Sequence, residues 1–204
     1  AADTLALHEA AALLATSPQN AVIEMMGAGG VFRANEATRI ALTGATMRAN
    51  IDGTPVAHNT ATLLPAGATL TIGGATSGVF GYLAFAGGIA TPPVLASRAT
   101  HLTAAIGRLL ADGDALPLGT DAAPETPPIY LPRDTRFDGG TVRMMAGPQT
   151  ALFSPATRDA FANTTFTRNP RGNRQGIRLD HNGPTLQTDG ALNITSDIIL
   201  PGDI

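Results

Sequence analysis

The sequence contains no cysteine and no lysine. The first absence excludes disulfides, thiolate nucleophiles and cysteine-ligated zinc, and it accords with a cytoplasmic location. The second excludes Schiff-base chemistry and a lysine general base. It also means that no cofactor can be tethered to this chain through a lysine amide. All thirteen basic residues are arginine. Every cationic role therefore falls to guanidinium, which stays protonated and prefers planar, bidentate partners such as carboxylates and phosphates.

Charge is scarce as well, at 14% of residues, with a net value of -3 and a pI near 5.7. Such a chain has no overall positive field to draw in a nucleic acid, which would need a purely local patch. No apolar run approaches the length that spans a bilayer. The opening "AADTLALHEAAALLAT" lacks the basic region of a signal peptide. What is present is 44% hydrophobic residues in a chain of 204. That suits a well-buried globular protein of one large domain or two small ones.

The N-terminal stretch reads as a short amphipathic helix, capped by Asp3, with Leu5, Leu13 and Leu14 apolar and Pro18 as its stop. Short apolar runs with glycine turns follow: "AVIEMM" (21–26), "VFRA" (31–34), "TRIALTG" (38–44), "TMRANIDGTPV" (46–56), "ATLTIGG" (68–74) and "VFGYLAFAGG" (79–88). Their length and punctuation predict strands, with Asp52-Gly53 as a hairpin turn. The spacing predicts a mainly β fold, barrel or sandwich, and not βαβ units. One internal echo, "LLPAGATLTIGG" (63–74) against "LLADGDALPLGT" (109–120), predicts two equivalent edges, each a glycine turn followed by a strand.

The Pro-, Asp- and Gly-rich stretch 121–140 reads as a linker or crossover. It separates an N-terminal β domain (1–120) from a C-terminal one (141–204). In the latter, "TVRMMAG" (141–147), "TTFTRN" (164–169), "GIRLDHN" (176–182), "TLQT" (185–188) and "ALNIT" (191–195) have strand character. "SPATRDAFAN" (154–163) has a helix start, with Ser154 as cap and Pro155 in the first turn.

Arg168, Arg171, Arg174 and Arg178 have the spacing of one helical face. The same stretch holds Pro170, Gly172 and Gly176, and a helix interior bears Pro at about 3 kcal/mol and each Gly at about 1. The stretch is therefore a loop entering a strand at Ile177, with Arg178 facing away from Ile177 and Leu179. His8, His58, His101 and His181 are scattered without ligand spacing, which predicts no metal site. The glycine runs lack a phosphate-loop pattern, and there is no nucleophile elbow. Ser97, Arg98 and Arg108 lie in a turn-rich segment that could receive a carboxylate or phosphate. Alternatively, Arg98 and Arg108 pair with Asp112 and Asp114 and brace the loop.

Six phrases fall in a recognisable order: "ALTGATMRANIDGTPV", "GYLAFAGGIATPPVLASRAT", "GRLLADGDALPLG", "RMMAGPQTALFS", "NRQGIRL" and "ITSDIILPGDI". Together they resemble the biotin-dependent carboxyltransferase family: KipA-like proteins, also known as allophanate hydrolase subunit 2 or as the C-type subunit of 5-oxoprolinase. The resemblance implies two linked β-barrel-like domains with a few short helices, the second cyclophilin-like and incomplete here. It implies a KipI-like partner and, in the bacterial 5-oxoprolinase, a third LamB/YcsF-like subunit for the ATP-dependent opening of 5-oxoproline to glutamate. In urea carboxylase the corresponding unit moves a carboxyl group from biotin to urea.

Three departures from the family pattern stand out. Ala96-Ser97-Arg98-Ala99-Thr100 replaces Gly-Ser-Arg-Ser-Thr, Thr103-Ala104-Ala105-Ile106 replaces a glycine-rich stretch, and Asn173-Arg174-Gln175-Gly176 replaces Asp-Arg-Met-Gly. The family's Gln-Asp-x-Gly-Arg entry and its later Gln-Val-Pro and Gly-Gly-Tyr-Pro segments are not in this sequence, so it reads as the middle of a longer protein. Carried over position by position, the substrate-binding candidates are Ser97, Arg98, Arg108, Gln149, Arg174, Arg178 and Ser196. None is an obvious general base. With no lysine to accept biotin, which would ride on a separate carrier, and no ATP motif, the chain reads as a dependent subunit, inactive alone. Its expected task is 5-oxoproline opening; the alternatives are carboxyl transfer to urea, or binding and regulating a KipI-like partner without catalysis.

Overall fold

The structure is a computed structural model that describes residues 1–132, 134–169, 171, 172, 174, 176–183, 186, 198–200 and 202–204. The chain divides into two compact units, Ala1–Gly140 and Thr141–Ile204.

The first unit opens with helix α1, Thr4–Leu14. The Asp3 carboxylate accepts from the Ala6 N–H at 3.1 Å, meeting one of the donors a helix start leaves unpaired. Ala15, at φ 51°, turns the chain left-handed and ends the helix. Strands β1 (Ile23–Met26), β2 (Val31–Arg33), β3 (Thr38–Ile51), β4 (Thr54–Pro55), β5 (Ala61–Leu64) and β6 (Thr69–Phe85) follow. They form one antiparallel sheet with path β1-β6-β3-β4; β2 also pairs with β6, and β5 with β3. The mainly β architecture read from the sequence is found, and the sheet is open, with β1 and β4 ending its path.

Two runs that the sequence separates at Ala45 are one 14-residue strand, β3, and 68–74 with 79–88 contribute to one 17-residue strand, β6. Bulges between Gly44 and Ala49 let the β3–β6 pair continue through the change of register. Gly44 holds φ 74°, and a Cβ there would lie 2.6 Å from the Phe80 carbonyl oxygen, so only glycine fits.

Alternation sorts the side chains. Ile40, Leu42, Leu83 and Phe85 join Met25, Leu64, Leu70 and Ile72 in one core. Ala41, Ala84 and Ala86 face the other way, where small residues admit Leu13 and Leu14 of α1. Thr43 lies on that same helix-facing side, and its buried hydroxyl donates to the Ala6 carbonyl at 2.9 Å. The fully buried Tyr82 accepts from the Asp3 N–H at 2.8 Å and donates to Glu24 at 3.0 Å. Burial pushes its phenol pKa upward.

Residues beyond the sheet are fastened to it. Arg39 binds Asp121 with Nε and Nη2, at 2.7 and 2.8 Å, and Nη2 also donates to the Leu14 carbonyl at the end of α1. Arg136 donates to Glu9 at 2.8 and 2.7 Å and to Asp3 at 3.2 Å, stacks on Phe137, and contacts Asp134 at 2.9 Å. Close-packed backbone joins Gly87 to Gly119, where a Cβ on either would overlap the other's carbonyl.

The internal echo is half structural. Gly67 and Gly113 both turn at positive φ, 78° and 85°. Only the first copy enters a strand, β6; the second forms an isolated bridge, Leu118 with Ile89.

The second unit holds helix α2, Pro155–Ala162, and a short ladder of β7 (Thr167–Arg168) with β8 (Leu179–Asp180). Ser154 caps α2, accepting from the Thr157 N–H at 3.2 Å. The strands read over 164–169 and 176–182 are thus two residues each. The one read over 141–147 forms no ladder among the described residues, with Val142 and Met145 exposed. Alternating apolar residues make a strand only where a neighbouring backbone accepts their hydrogen bonds. The strands expected at 185–188 and 191–195 fall on residues outside the described set, apart from Leu186.

Candidate functional site

Ser97, Arg98 and Arg108 share one loop system after β6. Val94 and Ser97 exchange backbone hydrogen bonds at 2.7 and 2.9 Å around a two-residue turn, Leu95-Ala96. Both turn residues sit at positive φ, 49° and 61°, the conformation of a tight hairpin turn that glycine or asparagine usually fills. The Ser97 hydroxyl accepts from the Ala99 N–H at 3.0 Å, and Arg98 Nε donates to the Thr91 carbonyl at 2.5 Å. The terminal nitrogens of Arg98 bond nothing among the described residues, so this exposed guanidinium keeps its forked end for an anion.

Arg108 is differently placed. Its two terminal nitrogens grip Asp114 at 2.6 and 2.7 Å, and Asp114 also accepts from the Ala111 N–H at 2.7 Å. The Arg108 hydrogen bonds, then that backbone donor, draw the Asp114 carboxyl down to about 2. Thr100 donates to the Arg108 carbonyl at 3.1 Å, and His101 pairs with Ile106, which closes the loop into a ring of short contacts. Arg108 thus makes the ion pair with Asp114 that the brace reading expects. Arg98 pairs with neither aspartate; it leans on a carbonyl.

In the second unit, Gln149 precedes a single helical turn, Thr150–Leu152. Arg174 and Arg178 are exposed on the loop that joins β7 to β8. Asn169 organises that loop: its N–H donates to the Arg178 carbonyl at 2.8 Å, its Oδ1 accepts from the Arg171 N–H at 2.8 Å, and its Nδ2 donates to Asp180 at 2.6 Å. Ile177, Arg178 and Leu179 are all exposed, so the alternation read there buries no face. Ser196 lies outside the described residues.

A cleft of about 380 Å³ opens beside the β7–β8 ladder, lined by Asn163, Thr164, Thr167, Asp180, His181 and Asn182 among others. Thr167 and Asp180 are directly opposed across the ladder, so their side chains share a face. The His181 ring meets Phe166 edge-on at 5.7 Å, and Phe166 leans on Phe161 of α2 at 5.0 Å. Threonine, asparagine, aspartate and histidine residues thus give the cleft a polar lining.

Sequence reasoning did not single out Asp180 or His181 for this chemistry. The available signal was "LDHNG", a carboxylate and an imidazole in the turn that follows Arg178. Among the described residues no three His, Asp or Glu gather where they could hold a metal ion, and no helix is long and apolar enough to cross a membrane.

The sequence profile of the carboxyltransferase domain, subdomain A and B, matches residues 1–204. The chain is 34% identical over 166 residues to the C-type subunit of 5-oxoprolinase from Escherichia coli (strain K12), covering 79% of this chain and 52% of that protein. It is 29% identical over 156 residues to urea amidolyase of Saccharomyces cerevisiae, covering 70% of this chain and 8% of that one. The crystal structure of TTHA0988 has the same fold, with a TM-score of 0.77 at 28% identity, over 87% of this chain and 66% of that one. The chain thus spans about half the length of its 5-oxoprolinase relative and a small part of urea amidolyase. With its mainly β architecture and a profile match from end to end, the chain belongs to the carboxyltransferase domain family, subdomain A and B.

Proposed function

We propose that this chain acts as a component of an ATP-dependent 5-oxoprolinase-type assembly that opens 5-oxoproline to glutamate, together with a KipI-like partner. The observation that carries this reading is the 34% identity to the C-type subunit of 5-oxoprolinase, which extends over 79% of the chain. The chain's own chemistry agrees with a dependent role. The loops offer an arginine fork at Arg98 for a carboxylate, and the second unit offers a polar cleft with Asp180 in its lining. The sequence has no lysine for biotin and no phosphate-loop motif for ATP. A LamB/YcsF-like protein is the third member of the proposed assembly, which acts in the cytoplasm.

The similarity to urea amidolyase favours a second reading, carboxyl transfer from carrier-bound biotin to urea. Co-purification with the KipI-like and LamB/YcsF-like partners, then ATP hydrolysis assayed with 5-oxoproline or urea, separates the two. The first reading expects 5-oxoproline-dependent turnover that avidin leaves unchanged. Urea-stimulated, avidin-sensitive turnover overturns it in favour of the second, and tight complex formation with neither activity overturns both in favour of a regulatory module.

A further inference from the structure

The turn after β8 brings together an electrophile, a nucleophile and a base. Asn182-Gly183 is the single Asn-Gly pair in the sequence, and both residues are exposed. Covalent connection alone keeps the Asn182 carboxamide carbon within ring-closing reach of the Gly183 amide nitrogen. Glycine has no Cβ to crowd that nitrogen or to restrict the backbone as the ring closes. The nitrogen becomes a nucleophile only as it loses its proton. Here the Gly183 N–H donates to His181 Nδ1 at 3.2 Å, so the imidazole presents its lone pair to that proton. The distance suits a general base. A carbonyl acceptor at the same place would hold the proton without taking it, whereas a neutral imidazole can take it. Phe166 meets the His181 ring edge-on at 5.7 Å and itself leans on Phe161 of α2, which limits the ring's rotation.

We propose that Asn182 is a self-modification site, deamidated with His181 as the general base. Nδ1 takes the Gly183 proton as the backbone nitrogen bonds to Asn182 Cγ, giving a tetrahedral adduct. The Cγ–Nδ2 bond then breaks, and the imidazolium returns the proton to the departing nitrogen, which leaves as ammonia. A succinimide remains. Water opens it at the side-chain carbonyl to give aspartate, or at the main-chain carbonyl to give isoaspartate. The sum is amide plus water to acid plus ammonia, with no change of oxidation state. Either product adds a carboxylate to the cleft, whose lining Asn182 shares with Asp180. The inference goes beyond the 5-oxoprolinase reading, because the step requires neither ATP nor a partner.

The test incubates the full 204-residue chain at neutral pH, folded and in guanidinium chloride, and follows conversion by mass spectrometry with fragmentation to locate the altered residue. Folding ordinarily slows ring closure at asparagine by holding the backbone still. Here it fixes a base on the attacking nitrogen, so Asn182 should convert roughly tenfold or more faster in the folded chain than in the denatured one. His181→Phe keeps an aromatic ring against Phe166 but has no lone pair, and should bring the folded rate down to the denatured one. Circular dichroism checks that this variant folds; should it not, the comparison of folded with denatured wild type decides by itself. A folded rate equal to or below the denatured rate overturns the proposal. So does a folded His181→Phe chain that converts as fast as the wild type. Each of those results leaves the 5-oxoproline assay of the complex free to succeed or fail by itself.

Discussion

Arg108 and Asp114 face each other fork to fork, with two hydrogen bonds of 2.6 and 2.7 Å closing a six-residue span. That geometry turns an arginine matching a family motif into a loop brace. Asp114 is the less exposed partner, and its carboxyl is drawn from the ordinary 3.8 to about 2. A depressed carboxylate pKa favours the folded loop wherever the unfolded chain would also be ionised. The stabilisation is therefore complete above about pH 4 and is lost as pH falls through about 2. Amide exchange over residues 108–114 should accelerate across that window, and Asp114→Asn should bring the fast exchange to neutral pH.

Two departures from the family pattern occupy strained backbone. Ala96 replaces a glycine at φ 61°, and Ala105 lies in place of a glycine-rich stretch at φ 53°. A Cβ in the left-handed region costs about 1–2 kcal/mol, while glycine adds chain entropy worth about 0.5–1. Ala96→Gly and Ala105→Gly should each stabilise the chain by roughly 0.5–1 kcal/mol. Urea unfolding would read this as a higher midpoint at constant slope.

Gly44 shows the opposite case. Its φ of 74° and the 2.6 Å approach of the Phe80 carbonyl combine backbone strain with overlap against main chain. Gly44→Ala should destabilise by about 3 kcal/mol or more, since no flexible side chain can yield. The expected urea midpoint falls accordingly, and α1 loses protection because Thr43, next to Gly44, holds its Ala6 carbonyl.

Arg136 reaches across 127 residues of sequence to Glu9. Arg136→Met retains much of the stem over Phe137 but leaves Glu9 and Asp3 unpaired in a partly screened setting. The expected loss is roughly 2 kcal/mol, below the range for fully buried pairs. Glu9→Gln in the same background should recover part of it, which a double-mutant cycle in urea would measure.

The first unit was legible because its signals are local. Asp3 at the start of α1, the Asp52-Gly53 turn and the alternation of Ile40, Ala41 and Leu42 each follow from spacing; the helix stop does not, since Ala15 ends α1 three residues before the expected Pro18. The continuity of β3 through Gly44 was not legible, since a glycine at positive φ reads as a turn until its partner strand is known. The brace at Arg108 was one of two readings that spacing could not separate; the 2.6 Å contact to Asp114 is the ion pair that the brace reading expects. His181 was read only as one of four scattered histidines, because a lone histidine has no motif. Its meaning comes from the Gly183 N–H and the Phe166 ring, two residues whose orientation no period encodes.

The most direct test of the account measures glutamate released from 5-oxoproline by the chain alone and by the chain purified with its KipI-like and LamB/YcsF-like partners. ATP-dependent glutamate formation is expected only when the partners are present. Glutamate formation by the chain alone, or none by the complex while urea is consumed, would contradict it.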